Sequence, residues 1–135
     1  MLRTYEGGCH CGAVRFRTQG DLDNVSECNC SICTMKGIIH MVVPRDRFEL
    51  LRGAEAITTY TFGTGVAKHT FCKHCGIHSF YTPRSAPDGI SVNVRCLDNV
   101  DVEAVRPRAF DGRHWEDAMR SRLASGDASD VTGPA

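Results

Sequence analysis

Seven of the eight cysteines in this 135-residue chain fall into three tight groups, and any fold proposed for it has to say where those sulfurs go. The groups are Cys9-His10-Cys11, Cys28-Asn29-Cys30-Ser31-Ile32-Cys33 and Cys72-Lys73-His74-Cys75, with Cys96 standing alone. Residues i and i+2 of a strand point to one face, with backbones about 6.5 to 7 Å apart. On that geometry Cys9 and Cys11 can lean together onto one ion. Cys72 and Cys75, followed by Gly76, read as a zinc-knuckle turn, in which glycine allows a conformation that bulkier residues resist. Together the two pairs supply four thiolates. Four sulfurs at about 2.3 Å from zinc close a tetrahedron and leave no open position, the mark of a structural site. Such a site ties the N-terminal segment to a mid-chain hairpin and closes a loop of roughly sixty residues.

The middle group is different. Cys28, Cys30 and Cys33 are one too few for a closed zinc site and one too many for a disulfide. Three thiolates hold zinc and leave a fourth position for water or an incoming ligand, which separates catalytic from structural zinc. A thiol is a natural fourth ligand, because a bound metal deprotonates a coordinating thiol outright. The competing reading is that Cys96, or one of the six histidines, fills that position and closes the site. His10, His69, His74 and His78 lie near the four-thiol elements in sequence and read as neighbours of that site or surface groups. His40 sits in an apolar run and reads as a core histidine.

The rest of the chain explains why a metal staple is needed. Only 29 residues are Leu, Ile, Val or Phe, a thin core for a domain of this length. Eleven of these are valine against six leucines, a tilt toward strands. Short strands separated by Gly and Pro are expected over residues 13–18, 38–43, 48–51, 57–62, 66–72, 78–81 and 90–96, with a tight turn at Gly63-Thr64-Gly65. In the last of these Ile90, Val92 and Val94 alternate inward against Ser91, Asn93 and Arg95. Residues 83–89 read as an exposed loop. The chain is therefore mainly β, a single domain over 1–117, followed by a tail over 118–135 with a short helical turn and a flexible end.

Lys plus Arg equal Asp plus Glu at 16 each, which argues against nucleic acid and anionic membrane as partners. No stretch is apolar enough to span a membrane, and the N-terminus lacks a signal-type apolar region, so a soluble cytoplasmic protein with reduced thiols is expected.

GGCHCGAVRF, CNCSIC and FCKHCG, in this order, resemble the three motifs of the glutathione-dependent formaldehyde-activating enzyme family, which includes centromere protein V. The likeness extends from about Tyr5 to Trp115, through YTFGTGVAKHTFCKHCG, NVRCLDNVD and AFDGRHW. It implies a β-tent fold of stacked short antiparallel sheets held by two zinc ions. One zinc would be structural, on Cys9, Cys11, Cys72 and Cys75; the other would be of catalytic type, on Cys28, Cys30 and Cys33. It also implies a carbon-sulfur lyase-type activity that joins glutathione, or a similar thiol, to formaldehyde, or runs the reverse cleavage. The alternatives are a non-catalytic zinc module, acting as thiol carrier or protein-interaction domain, and the chromatin or microtubule binding suggested by centromere protein V. The neutral charge weighs against the last. A glutathione pocket needs cations, for which Arg45, Arg47, Lys36 and Arg95 are candidates. The segment 109–115 either covers the open zinc as a lid or anchors the C-terminus on the β core, the second being preferred.

Overall fold

The structure, a computed structural model, describes residues 1–124 of the chain. Among these residues ten short strands make three small sheets. The first contains β1 (Arg3–Gly8), β2 (Arg15–Gly20) and β5 (Phe48–Arg52), with β2 in the middle and both pairings antiparallel. The second has the order β10 (Arg108–Phe110), β3 (Ser26–Cys28), β4 (His40–Pro44), β9 (Gly89–Asn93) and β8 (Phe80–Tyr81). The third is the hairpin of β6 (Ile57–Tyr60) and β7 (His69–Cys72). Among the described residues there are two α-helices, α1 (Ser31–Lys36) and α2 (Trp115–Ala124). Among the described residues no helix is long and apolar enough to cross a membrane.

The mainly β expectation holds, and the differences have physical causes. Along β2 the inward residues are Phe16, Thr18 and Gly20, the expected period of two. The strand starts two residues late because the chain from Cys9 to Val14 is folded into a turn, with Cys9 N donating to Val14 O at 3.1 Å and Gly12 N to Cys9 O at 3.3 Å. Cys9 and Cys11 therefore sit in the β1–β2 connection and not on a strand. Strand β9 is buried along its whole length, Ser91 and Asn93 included, which corrects the expected polar outer face. It lies between β4 and β8 and is covered on both sides, so its polar side chains must be satisfied internally. Asn93 Nδ2 donates to His78 O at 3.0 Å, and Ser91 Oγ lies 3.0 Å from His40 Nδ1. The chain then turns into a 3-10 helix over Val94–Cys96, so Cys96 does not end a strand.

Not every pairing is antiparallel: β10 returns from far along the chain to lie parallel to β3, with Arg108, Ala109 and Phe110 beside Ser26, Glu27 and Cys28. The helical turn expected after Trp115 is longer than foreseen, ten residues, and crosses the boundary drawn at 117. The flexible end expected beyond it lies outside the described residues.

An aromatic trio joins the first two sheets. Phe16 stacks on Phe48 at 5.4 Å, Phe48 meets Phe80 at 4.7 Å, and Phe16 meets Phe80 edge-on at 6.0 Å. Aromatic contacts of this kind bring large apolar area together with specific geometry. Met41, Val43, Ile90, Val92 and Val94 extend the core beneath them.

Candidate metal sites

The β1–β2 turn and the end of β7 bring four sulfurs together. Cys9, Cys11, Cys72 and Cys75 all offer ligand atoms within 4.8 Å of one another. Cys9 Sγ lies 3.6 Å from Cys11 Sγ, and Cys11 Sγ lies 3.7 Å from Cys72 Sγ. Those spacings match the edge of a tetrahedron with metal–sulfur bonds of about 2.3 Å, which is about 3.8 Å, and are far beyond a disulfide bond of about 2.05 Å. Backbone amides face the sulfurs: Val14 N donates to Cys9 Sγ at 3.3 Å and His74 N to Cys72 Sγ at 3.4 Å. Gly76 takes a left-handed conformation, φ 77°, and closes the turn by donating to Cys72 O at 2.7 Å. Burial pushes the Cys75 thiol up, but the amides of Cys11 and Ile77 and the Cys72 sulfur outweigh it and bring the group to about 6.

The second group forms on different local structure. Cys28 ends β3, Cys30 caps α1, and Cys33 lies in the first turn of that helix. The helix was not visible in the sequence. It forms because Cys30 Sγ accepts from Cys33 N at 3.4 Å and Gly37, in a left-handed conformation, returns its amide to Cys33 O at 2.9 Å. All three cysteines are buried, and their sulfurs lie within 4.8 Å of one another. Hydrogen bonds from Cys28 and Cys33 drive Cys30 down to about 2. The bond to Cys30 pushes Cys28 up to about 11, and bonds to Cys28 and Cys30 raise Cys33 as well. Like charges this close disfavour one another, so the three thiols cannot all ionise readily unless a cation joins them. A soft, buried, three-sulfur donor set suits zinc, so both groups fit the ion that the sequence led us to expect.

Cys96 is not part of the three-sulfur group. Its thiol donates to His78 O at 3.8 Å, and burial, with the Cys9 and Cys75 sulfurs, raises it to about 11. Among the described residues no histidine or carboxylate completes the group either.

The wall of this site comes from the segment whose role the sequence left open. β10 pairs with β3 at its edge, and Asn29 knots the two connections together. Asn29 Nδ2 donates to Asp111 Oδ1 at 2.9 Å, Arg113 N donates to Asn29 Oδ1 at 3.0 Å, and Arg113 Nε donates to Asn29 O at 3.0 Å. Phe110 packs on the three cysteines with Ile32 and Trp115 beside it. Residues 109–115 thus anchor the chain, as preferred, and also border the thiols. Outside them opens a cleft of about 590 Å³ whose lining includes Cys30, Phe62, Arg84, Gly112, Arg113 and Trp115, with the carboxylates of Glu116 and Asp117 also at its wall. The Arg84 guanidinium lies 4.0 Å over the Trp115 ring.

The expected cations are placed unevenly. Arg45 and Arg47 are exposed in the turn between β4 and β5, and Arg95 donates to Gly37 O at 2.9 Å. Lys36 alone of the four lies by the three thiols, whose charge bears on it. Its Nζ is 3.0 Å from His69 Nδ1 and 4.2 Å from the centre of the Tyr81 ring. His69 stacks on Tyr81 at 5.1 Å and on Phe62 at 5.6 Å, so it belongs with the three-thiol group and not, as its position in sequence suggested, with the four-thiol group. Arg84 and Arg113 carried no spacing signal. Their place follows from the parallel return of β10 and from the 83–89 loop.

Comparison with known proteins points in one direction. A family model described as glutathione-dependent formaldehyde-activating enzyme matches residues 4–117. A crystal structure of a Rhodobacter sphaeroides protein superposes with a TM-score of 0.73 at 36% sequence identity, covering 77% of this chain and 97% of that one.

Proposed function

Since this chain belongs to the glutathione-dependent formaldehyde-activating enzyme family, we propose that its three-thiol site joins a thiol of the glutathione type to a small aldehyde such as formaldehyde, or runs the reverse carbon-sulfur cleavage. The observation that carries this reading is the arrangement of Cys28, Cys30 and Cys33: three buried sulfurs without a fourth protein ligand among the described residues, one of them lining an open cleft.

In this reading the protein holds two zinc ions, a structural one on Cys9, Cys11, Cys72 and Cys75 and a reactive one on Cys28, Cys30 and Cys33, within the β-tent architecture the family resemblance implies. Zinc held by three thiolates supplies a fourth coordination position and lowers the pKa of a thiol that occupies it. The thiol gives up its proton, its sulfur adds to the aldehyde carbon, and the carbonyl oxygen takes a proton, so that RSH and CH2O become RSCH2OH with nothing left over. The chain's own part is positioning. Arg84 and Arg113 present guanidinium groups to the carboxylates that glutathione carries. Phe62 and Trp115 give the cleft apolar walls, and Gly112 lets the backbone approach the sulfurs. Reduced cysteines require a reducing compartment, and the cytoplasm is the one we assign.

The test is hemithioacetal formation with a panel of thiols and aldehydes. A rate above the uncatalysed reaction, highest for glutathione and formaldehyde, is expected. No acceleration for any pair would reject the enzymatic reading and favour a thiol carrier or an interaction module.

A further inference from the structure

Lys36 closes α1 three residues after Cys33, which places it on the same helical face as that buried thiol. Its ammonium donates to His69 Nδ1 at 3.0 Å and lies 4.2 Å above the Tyr81 ring. Neither partner is an anion. His69 is fully buried, and burial together with the nearby Lys36 lowers it to about 4, so it is neutral at physiological pH. With Nδ1 accepting from the lysine, its proton sits on Nε2. Tyr81 is equally buried, and burial raises its pKa well above the ordinary phenol value. Among the described residues no carboxylate pairs with Lys36. Burial lowers the amine to about 8, and the charges that act in the opposite sense are the thiols of Cys33, Cys30 and Cys28.

Lys36 is half-buried, and an ammonium partly withdrawn from water without an anion beside it carries a cost. Lysines withdrawn from water commonly meet this cost with Asp or Glu, which also cancels their field. His69 seats the ammonium while leaving its charge intact, and Tyr81 offers the negative face of its ring. The uncancelled charge stands next to a group that needs one. Three thiolates around a divalent cation carry a net negative charge, and an anionic fourth ligand adds another within a buried site.

We propose that Lys36 is the charge partner of the three-thiol site, held by His69 and Tyr81 so that its ammonium offsets the negative charge there and selects an anionic sulfur as fourth ligand. The role rests on the thiol reading above. It makes Lys36 a positioning residue, acting on the incoming sulfur through the field at the site, and it separates charge selection, at Lys36, from recognition of the substrate's carboxylates, at the cleft mouth.

The experiment uses the full chain loaded with cobalt(II), whose visible and thiolate charge-transfer bands report the ligand set. 2-Mercaptoethanol, a thiol without carboxylates, is titrated in, and imidazole, a neutral ligand, is titrated in parallel. Lys36→Met is expected to bind the thiol roughly tenfold or more weakly than the unaltered protein, since a nearby unit charge is lost. Its imidazole affinity is expected to stay within about threefold, and Lys36→Arg to restore thiol binding. Cobalt retained on the four-thiol group shows that the variants are folded; should Lys36→Met fail this check, Lys36→Gln takes its place. Equal thiol affinity with and without the charge, or equal losses of thiol and imidazole, overturns the role of Lys36 and leaves the thiol reading standing. An unaltered protein that takes no thiol overturns both.

Discussion

Gly112 lies against Cys28: a Cβ built on this glycine would overlap the Cys28 sulfur and press on Cys30. The contact joins residues from opposite ends of the chain and makes the 109–115 segment part of the three-thiol site. Gly112→Ala is therefore expected to displace the Cys28 thiol while leaving the fold and the four-thiol group intact. The check is chelator competition, in which the weaker of the two metals should be lost at roughly tenfold lower chelator concentration, a difference of about 1.4 kcal/mol.

Asn29 holds this segment in place through its side chain and its carbonyl. Asn29→Ala removes both side-chain bonds and is expected to cost about 1 to 3 kcal/mol. Urea denaturation measures that loss. Faster amide exchange over residues 108–113 would show that it falls on the wall of the cleft; unchanged exchange there would show that Asn29 does not hold the segment.

Arg84 stands over Trp115 at the cleft, where its guanidinium can pair a carboxylate. Arg84→Gln is expected to raise KM for glutathione by roughly tenfold while leaving KM for 2-mercaptoethanol within about twofold, because only the former carries carboxylates. Equal changes for the two thiols would assign Arg84 to the shape of the cleft and not to recognition.

His40 is fully buried against Ser91 and Tyr81, and burial lowers it to about 3. The folded state thus binds fewer protons than the unfolded state between about pH 3 and the unperturbed histidine value near 6.5. Its contribution is full above that value and is lost as pH falls through the window. His40→Gln, which keeps an acceptor for Tyr81 and Ser91, is expected to lose stability less steeply below pH 6.5, by about 1 kcal/mol per pH unit. His69 and His78, both lowered to about 4 by burial, add to the slope that remains. Urea melts at several pH values decide it, and parallel slopes for the two proteins would contradict the assignment.

The four-thiol group is expected to carry the fold, since it ties the β1–β2 turn to β7 across 61 residues in a chain with little apolar core. Metal at such a site contributes roughly 10 to 16 kcal/mol in small zinc domains, more than a domain of this size has to spare. Cys72→Ser should therefore be unfolded by near-ultraviolet circular dichroism.

The cysteine groups were legible because ligand spacing is local: CxC, CxC-x-x-C and CxxC each bring sulfurs together whatever the surrounding fold. Most strands could be placed from apolar alternation for the same reason. What stayed hidden depends on contacts across the chain. Ser31 to Lys36 includes Ile32 and Thr34, poor helix formers, and a helix of six residues has little stability of its own. Caps at Cys30 and Gly37 make it, and only the helix puts Lys36 beside Cys33. The burial of Ser91 and Asn93 follows from neighbours on both sides of β9, which alternation cannot show. The parallel pairing of β10 with β3 brings Gly112, Arg113 and Trp115 to the thiols from about eighty residues away in sequence.

The claim that one group closes the fold and the other is an open reactive site is tested most directly by native mass spectrometry of the unaltered chain and of Cys28→Ser. Two zinc ions falling to one, with a compact charge-state distribution kept, is the predicted result. A single zinc in the unaltered protein, or two zincs still bound after Cys28→Ser, would contradict it.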